Sequence, residues 1–314
     1  MKILKKILSR PEFKNSPIAL LDIGASECIH KKWKVIAKYS VCIAFDADKR
    51  DFSFSVNKTK EYKKLIVYNT VVTEFPKKTT NFYLTKSPYC SSILKPDNSS
   101  LQEWAFAEKF IIEKTEQITS ITLDEVLKEQ KIDKIDWFKS DSQGTDLRLF
   151  KSLGKEKYKN ILVAEMEPGI IDSYYEEDKM TKVLEFMSDN DFFLSEINVK
   201  GSQRITQNIL EQITKSRTTQ KLIQFSHKTS PGWAELTFLN SKVTEMNLRE
   251  HLLGWIFAIL LKQHGFAVLI ARKGQNKFED EIFKEMERYA LKKIKHNAYK
   301  LKFVPSIIEK IKKI

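Results

Sequence analysis

The sequence is poor in cysteine, and the few it has do not pair by motif. Cys28, Cys42 and Cys90 form no CxxC, and an odd number implies no disulfide framework, so a reducing, cytoplasmic setting is the expectation. There is no long hydrophobic run. The longest, Leu252 to Leu261, has ten residues, about half of the roughly 20 that a spanning helix needs. Met1 to Arg10 is basic and amphipathic, but no apolar stretch or small-residue cleavage site follows it, so no signal peptide is expected. Internal repeats are absent, as is any His/Cys cluster at metal-ligand spacing.

What is present is a chain of 314 residues, 42% hydrophobic and 30% charged, enough to bury a sizeable core. Its formal net charge is +13. That balance favours anionic partners such as nucleic acid, acidic lipid or an acidic substrate, and equally suits a lysine-rich solvated surface.

The first 200 residues alternate short apolar runs with helical patterns. Ile18 to Ile23, Val41 to Phe45, Leu65 to Tyr68, Ile135 to Phe138 and Ile161 to Ala164 read as buried parallel strands, apolar on both faces. Glu27 to Tyr39, Leu123 to Gln130, Thr145 to Leu153 and Lys179 to Ser188 read as helices. The alternation predicts an α/β doubly wound, Rossmann-like sheet. Between residues 70 and 120 the pattern changes. Val71 to Phe75 and Asn81 to Thr85 are expected to pair as a hairpin, with Phe110 to Ile118 a further strand beside a substrate pocket. A boundary is placed near residue 200, dividing residues 1–200 from a mostly helical C-terminal extension of residues 201–314. The extension carries helical patterns over Lys242 to Ala271 and Lys277 to His296.

The strongest local signal is Leu20-Leu21-Asp22-Ile23-Gly24-Ala25-Ser26. A strand ends in an acid and a glycine, then small residues lead into the next element. Gly24 permits a sharp turn and close approach of a ligand. The helix expected beyond it offers free N–H groups. Asp46, 24 residues after Asp22, ends the second strand in Phe45-Asp46-Ala47-Asp48, where an acid can hold ribose hydroxyls. A dinucleotide site needs GxGxxG to reach the pyrophosphate. Only Gly24 is present here, which suits a nucleoside without pyrophosphate, such as S-adenosylmethionine (SAM). The competing reading is an ordinary strand–helix turn with Asp46 as a surface acid.

These blocks resemble the FkbM family of methyltransferases. Leu21-Asp22-Ile23-Gly24-Ala25-Ser26 and Ala44-Phe45-Asp46-Ala47-Asp48 match in order, as does the serine pair in Ser91-Ser92-Ile93-Leu94. The most specific match is Ile121-Thr122-Leu123-Asp124-Glu125 followed by Ile135-Asp136-Trp137-Phe138-Lys139-Ser140-Asp141-Ser142-Gln143-Gly144-Thr145-Asp146-Leu147. The resemblance covers about residues 17–198. It implies the seven-stranded class I methyltransferase sheet and SAM-dependent O-methylation of a sugar, glycolipid or other small-molecule hydroxyl. It also implies that Asp22, Gly24, Ala25, Ser26, Asp46 and Ala47 hold SAM, with Val71 near the adenine, and that Ser91 and Ser92 meet the substrate. The chain departs from the family pattern at Cys28, which stands at a motif glycine. It departs again at Asp46-Ala47, in place of Glu-Pro, and at Asp146, in place of Glu.

Methyl transfer to a hydroxyl requires alignment of the acceptor and removal of its proton. Asp141 ends one strand, and Glu165 and Glu167 end the next, so these carboxylates converge where ligands bind in such sheets. Asp141 and Glu167 are the expected catalytic pair. The alternatives are a helix cap for Asp141, salt bridges for the glutamates, or a divalent cation held by all three. His30 is expected to face solvent on the first helix, His227 to lie near the site, and His251 and His264 to be structural.

Two other functions compete with this one. A nucleic-acid methyltransferase is suggested by the charge, but Asp141-Ser142-Gln143-Gly144 stands where an Asn/Asp-Pro-Pro-aromatic motif would be expected, so nucleic acid is not the expected partner. A non-catalytic scaffold would keep the fold without cofactor affinity. Helix Leu248 to Leu261 reads as a core or homo-oligomer helix. Tyr289 to Ile314 holds eight lysines and one acid, with Ile307, Ile308, Ile311 and Ile314 as a stripe. Such a tail can lie on an anionic membrane surface, peripheral to its cytoplasmic face, or remain solvated.

Overall fold

A computed structural model describes residues 2–25, 30–48, 50 and 61–301, the side chains of residues 300 and 301 excepted. Two compact units emerge, Ile18–Asn240 and a second formed by residues 1–17 with 241–314.

In the larger unit, short apolar runs become the central strands. They are β1 (Ile18–Ile23), β2 (Ser40–Phe45), β3 (Lys64–Tyr68), β7 (Trp137–Ser140) and β8 (Val163–Met166). All pair in parallel. Two long antiparallel strands, β9 (Phe192–Ser202) and β10 (Ser230–Asn240), complete a seven-stranded sheet of order β3-β2-β1-β7-β8-β10-β9. The change of composition near residue 200 therefore falls inside β9. Edge strands face water on one side and are polar there, so a compositional shift does not end the sheet.

Residues 71–121 form a separate three-stranded sheet. Its strands are β4 (Val71–Val72), β5 (Thr79–Thr85) and β6 (Ile112–Ile121), in the order β4-β6-β5. The expected hairpin does not form: β6 lies between β4 and β5 and pairs with both. A ten-residue strand supplies more ladder bonds than the local turn could.

Helices α1 (Lys2–Leu8) and α2 (Pro11–Asn15) precede β1, and the short α3 (Asn98–Leu101) lies in the insertion. One sheet face packs Leu21, Ile23, Ile43, Phe45, Phe138, Ala164, Met166 and Phe238 in the main core. That core includes buried side chains of α4 (Leu123–Gln130), α5 (Asp146–Ser152) and α7 (Met180–Asp189), with Tyr158 of α6 (Lys155–Tyr158). The capping box of Thr122 and Glu125 starts α4 where the sequence places it. A helical hairpin, α8 (Gln207–Ile213) and α9 (Arg217–Ser226), joins β9 to β10.

The segment expected as the first helix does not form one in its described part. Residues 26–29 lie outside the description, and residues 31–39 make two single 3₁₀ turns. Neither turn has a side-chain cap. Trp33 instead drives its ring edge-on against Trp137 at 6.0 Å, both fully buried.

In the smaller unit, α10 (Leu248–Leu260), α11 (His264–Lys277) and α12 (Ile282–Leu301) replace the two expected long helices. The break comes at Lys262, whose φ of +60° ends α10. The Asn247–Glu250 capping box starts α10, and His251 is buried against Phe278 and Phe283. Among the described residues no helix is long and apolar enough to cross a membrane. The isoleucine stripe of residues 307–314 lies outside the description.

Candidate functional site

At the carboxyl ends of the parallel strands the backbone is tied strand to strand. Asp141 N–H donates to the Ile23 carbonyl (2.9 Å), and Gly24 and Ala25 both donate to the Phe45 carbonyl (3.0 and 2.9 Å). These two N–H groups build the floor of the turn. Gly24 takes φ +73°, and a Cβ there would lie 2.2 Å from the Asp141 carbonyl oxygen. Only glycine allows the β1 turn to approach β7 so closely.

Above this floor opens a cleft of about 990 Å³, counted to bulk solvent. Gly24, Ala25, Asp46, Ala47 and Val71 all line it, so the structure brings five of the residues expected at the cofactor together. Val72, Phe82 and Ile93 add apolar wall, and Asp48 a second acid. Ser26 lies outside the described residues. An acid at the β2 end with an apolar slot beside it fits a nucleoside: ribose hydroxyls on the one, the base in the other.

Ser91 also lines the cleft, but its hydroxyl oxygen accepts from the Arg50 guanidinium (2.9 Å) and the Thr85 N–H (3.2 Å). Arg50 also clasps Asp48 (2.7 Å), and this pairing holds the Asp48 carboxyl below its ordinary range against the cost of burial. Ser92 is not among the lining residues. Its hydroxyl donates to the Gln143 carbonyl at 2.7 Å and accepts from Leu94 N–H. The serine pair thus fastens the insertion to the turn after β7.

Asp22 is likewise turned away from the cleft. On β1 it faces opposite to Leu21 and Ile23, and its carboxylate meets Lys139 at 2.6 Å. The register extends this pair into a row across five strands: Asp22, Lys139, Glu165, Thr237 and Glu196 stand side by side. Lys32 closes the row, donating to Glu165 (2.8 Å), Glu196 (3.2 Å) and Thr237 (3.2 Å). Burial opposes the charge on Lys139, yet Asp22 and the neighbouring carboxylates raise its pKa.

From Lys139 onward this row floors a second cavity, of about 720 Å³ counted to bulk solvent, lined also by His30, Asp141, Glu167, Asn198 and Glu235. His30 therefore does not face solvent as expected. It packs edge-on against Trp33, and burial with the nearby Lys139 charge lowers its pKa to about 4. Its Nδ1 is buried without a hydrogen-bond partner. His227 is exposed at the end of α9, its Nδ1 2.7 Å from the Ile223 carbonyl.

Asp141 lines both cavities and Glu167 lines the second. The two carboxyls hydrogen-bond each other. Burial raises Asp141 to about 6 against the pull of Lys139. Burial and the charges of Asp141, Glu235 and Asp146 raise Glu167 to about 9. Both carboxyls are thus raised, Glu167 the further, so the pair holds on to a proton above the ordinary carboxylate range. The Gln143 side-chain amide N–H donates to Asp141, and Tyr174 OH donates to Gln143 Oε1 at 3.0 Å. Gln143 and Gly144 both have positive φ, which bends the chain sharply after β7.

The residue sequence reasoning undervalued is Asp146. It is fully buried and accepts from Ser140 Oγ (2.6 Å), Ser142 N–H (2.9 Å), Ser142 Oγ (2.5 Å) and Glu167 N–H (2.7 Å). Its acid type and its place after Gly144 were visible, but its partners come from two strands. Among the described residues, no group of three His, Cys, Asp or Glu side chains is arranged to hold a metal ion.

A family model described as the methyltransferase FkbM domain matches residues 35–194. The match spans β2 to β9 and includes Asp46, the serine pair, Asp141 and Glu167; Asp22 and Gly24 precede it. No curated protein matches the chain.

Proposed function

The chain belongs to the FkbM methyltransferase family, and from that premise we propose that it is a SAM-dependent O-methyltransferase acting on a hydroxyl of a sugar, glycolipid or similar small molecule. The observation that carries this reading is the place of Asp141, which lines both the cleft at the strand ends and a separate polar cavity.

In this reading Asp46 holds the ribose hydroxyls, and Val71, Val72 and Phe82 flank the base. SAM, when bound, supplies an electrophilic methyl group. The second cavity takes the acceptor: Lys139, Asn198, Glu235 and Thr237 offer the mixed donors and acceptors that a polyhydroxylated molecule needs. Asp141, ionised near neutral pH and aimed at the junction, accepts the hydroxyl proton. Glu167, which keeps its own proton, steadies the Asp141 carboxylate and the charge that builds beside it. A pKa near 6 suits a base working at neutral pH.

Calorimetry of SAM with the wild type and Asp46→Ala tests the reading. Losing a charge-assisted hydrogen bond to ribose costs about 1.5–3 kcal/mol, roughly a tenfold or greater loss of affinity. Micromolar binding weakened to that degree supports the assignment. A wild type that binds no SAM would leave a methyltransferase fold serving as a scaffold.

A further inference from the structure

The α8–α9 hairpin is built unlike the rest of the larger unit. Between residues 204 and 228 only Ile205, Leu210 and Gln220 are buried. Gln220 turns inward, accepting from Gln207 at 3.0 Å and donating to the Thr214 carbonyl at 2.8 Å. At 3.6 residues per turn, Leu222 and Phe225 then lie on the opposite, outward face of α9. Leu222 is 66% exposed and Phe225 85% exposed, and Ile209 and Ile213 stand exposed one turn apart on α8. Four large apolar side chains crowded on a 25-residue hairpin exceed the scatter of single exposed residues on a soluble surface.

Charge accompanies the apolar face. Lys215, Arg217, Lys221 and Lys228 lie in the same segment, and Glu211 is the sole acid between residues 201 and 229. All four basic residues are exposed. An apolar ridge accompanied by lysine and arginine matches a surface of apolar chains under anionic headgroups.

Topology adds a third observation. β10 runs antiparallel to β8, with Leu236 opposite Met166 and Leu239 opposite Val163. Ser230 therefore lies past the carboxyl end of β8, and the hairpin joining β9 to β10 sits on the sheet edge that carries both cavities. Wherever the hairpin docks, the cavities face the same side.

We propose that the α8–α9 hairpin is a docking surface for an anionic lipid bilayer, with Leu222 and Phe225 inserted among the headgroups. Full-length protein is sedimented with vesicles of phosphatidylcholine containing phosphatidylglycerol, and with vesicles of phosphatidylcholine alone. The wild type partitions onto the anionic vesicles, more weakly at high salt. Leu222→Asp/Phe225→Asp reduces partitioning about tenfold or more. Both substitutions are at exposed positions, and an unchanged thermal melt of the variant shows that the fold is intact. Failure of the wild type to partition overturns the proposal. So does equal partitioning by the variant, which would assign lipid binding to another segment such as the lysine-rich residues 292–313. Light scattering that finds a wild-type dimer and a variant monomer would also overturn it, in favour of a second copy of the chain. None of these readouts depends on methyl transfer.

Discussion

The carboxylate of Asp146 accepts the backbone N–H of Glu167 at 2.7 Å, and this one bond ties the loop after β7 to the end of β8. The same carboxylate also takes Ser140 and Ser142, so a buried acid fixes the relative position of Asp141 and Glu167 without lining either cavity.

Asp146→Ala should therefore be among the costliest single changes in the molecule. It orphans the buried Ser140 hydroxyl together with the Ser142 and Glu167 N–H groups just beyond the two strands. The expected loss is about 3 kcal/mol or more, because unsatisfied buried groups pay their full desolvation. Asp146→Asn keeps the size and one carbonyl acceptor, and should lose less. Urea unfolding midpoints of the two variants check the ranking. Equal midpoints for wild type and Asp146→Ala would show that the network contributes nothing.

Two glycines in left-handed conformation separate strain from close approach. Gly154, at φ +81°, has nothing within 4 Å of a Cβ, whereas Gly24, at φ +73°, would place one 2.2 Å from a backbone oxygen. Gly154→Ala should cost only the local backbone penalty of φ +81° with ψ 151°, about 1–3 kcal/mol. Gly24→Ala must also push β1 and β7 apart, so it should destabilise by clearly more and weaken SAM binding. Thermal melts of both variants, with SAM titration of Gly24→Ala, test this. Similar melts would mean that the β1 turn yields without consequence.

These contrasts also explain what the sequence made legible. The β1, β2, β3, β7 and β8 runs could be read because strands buried on both faces are apolar throughout, and their order around Gly24 and Asp46 placed the nucleoside cleft. Helix α4 was readable over Leu123 to Gln130, the bounds at which the structure forms it. The rest depends on partners distant in sequence. Asp22 looked like a ligand because nothing local reveals that Lys139, 117 residues away, stands beside it on the next strand. His30 looked exposed because the turns that aim it at the second cavity are fixed by Trp33 on Trp137, not by a helix. The β4–β5 hairpin failed for the same reason: the competing strand β6 arrives some 30 residues later.

The raised Glu167 pKa carries a stability consequence of definite sign. Its carboxyl binds a proton in the folded state up to about pH 9. The unfolded chain releases that proton near the ordinary glutamate value of 4.5. Between those limits the folded state holds more protons, so stability is full below pH 4.5 and falls as pH rises toward 9. One proton sets a slope of at most about 1.4 kcal/mol per pH unit. Asp141, raised only to about 6, is mostly ionised by pH 7, and other groups that titrate between pH 7 and 9 cancel when the wild type is compared with Glu167→Gln. Glu167→Gln keeps a hydrogen-bond donor toward Asp141 but cannot ionise. Across that interval the wild type should lose about 2 kcal/mol more than Glu167→Gln, read as the change in urea midpoint. At pH 9 the variant should be the more stable of the two. Parallel curves would mean that Glu167 is already ionised at pH 7, and with that the proton held by the Asp141 and Glu167 pair would be lost from the site.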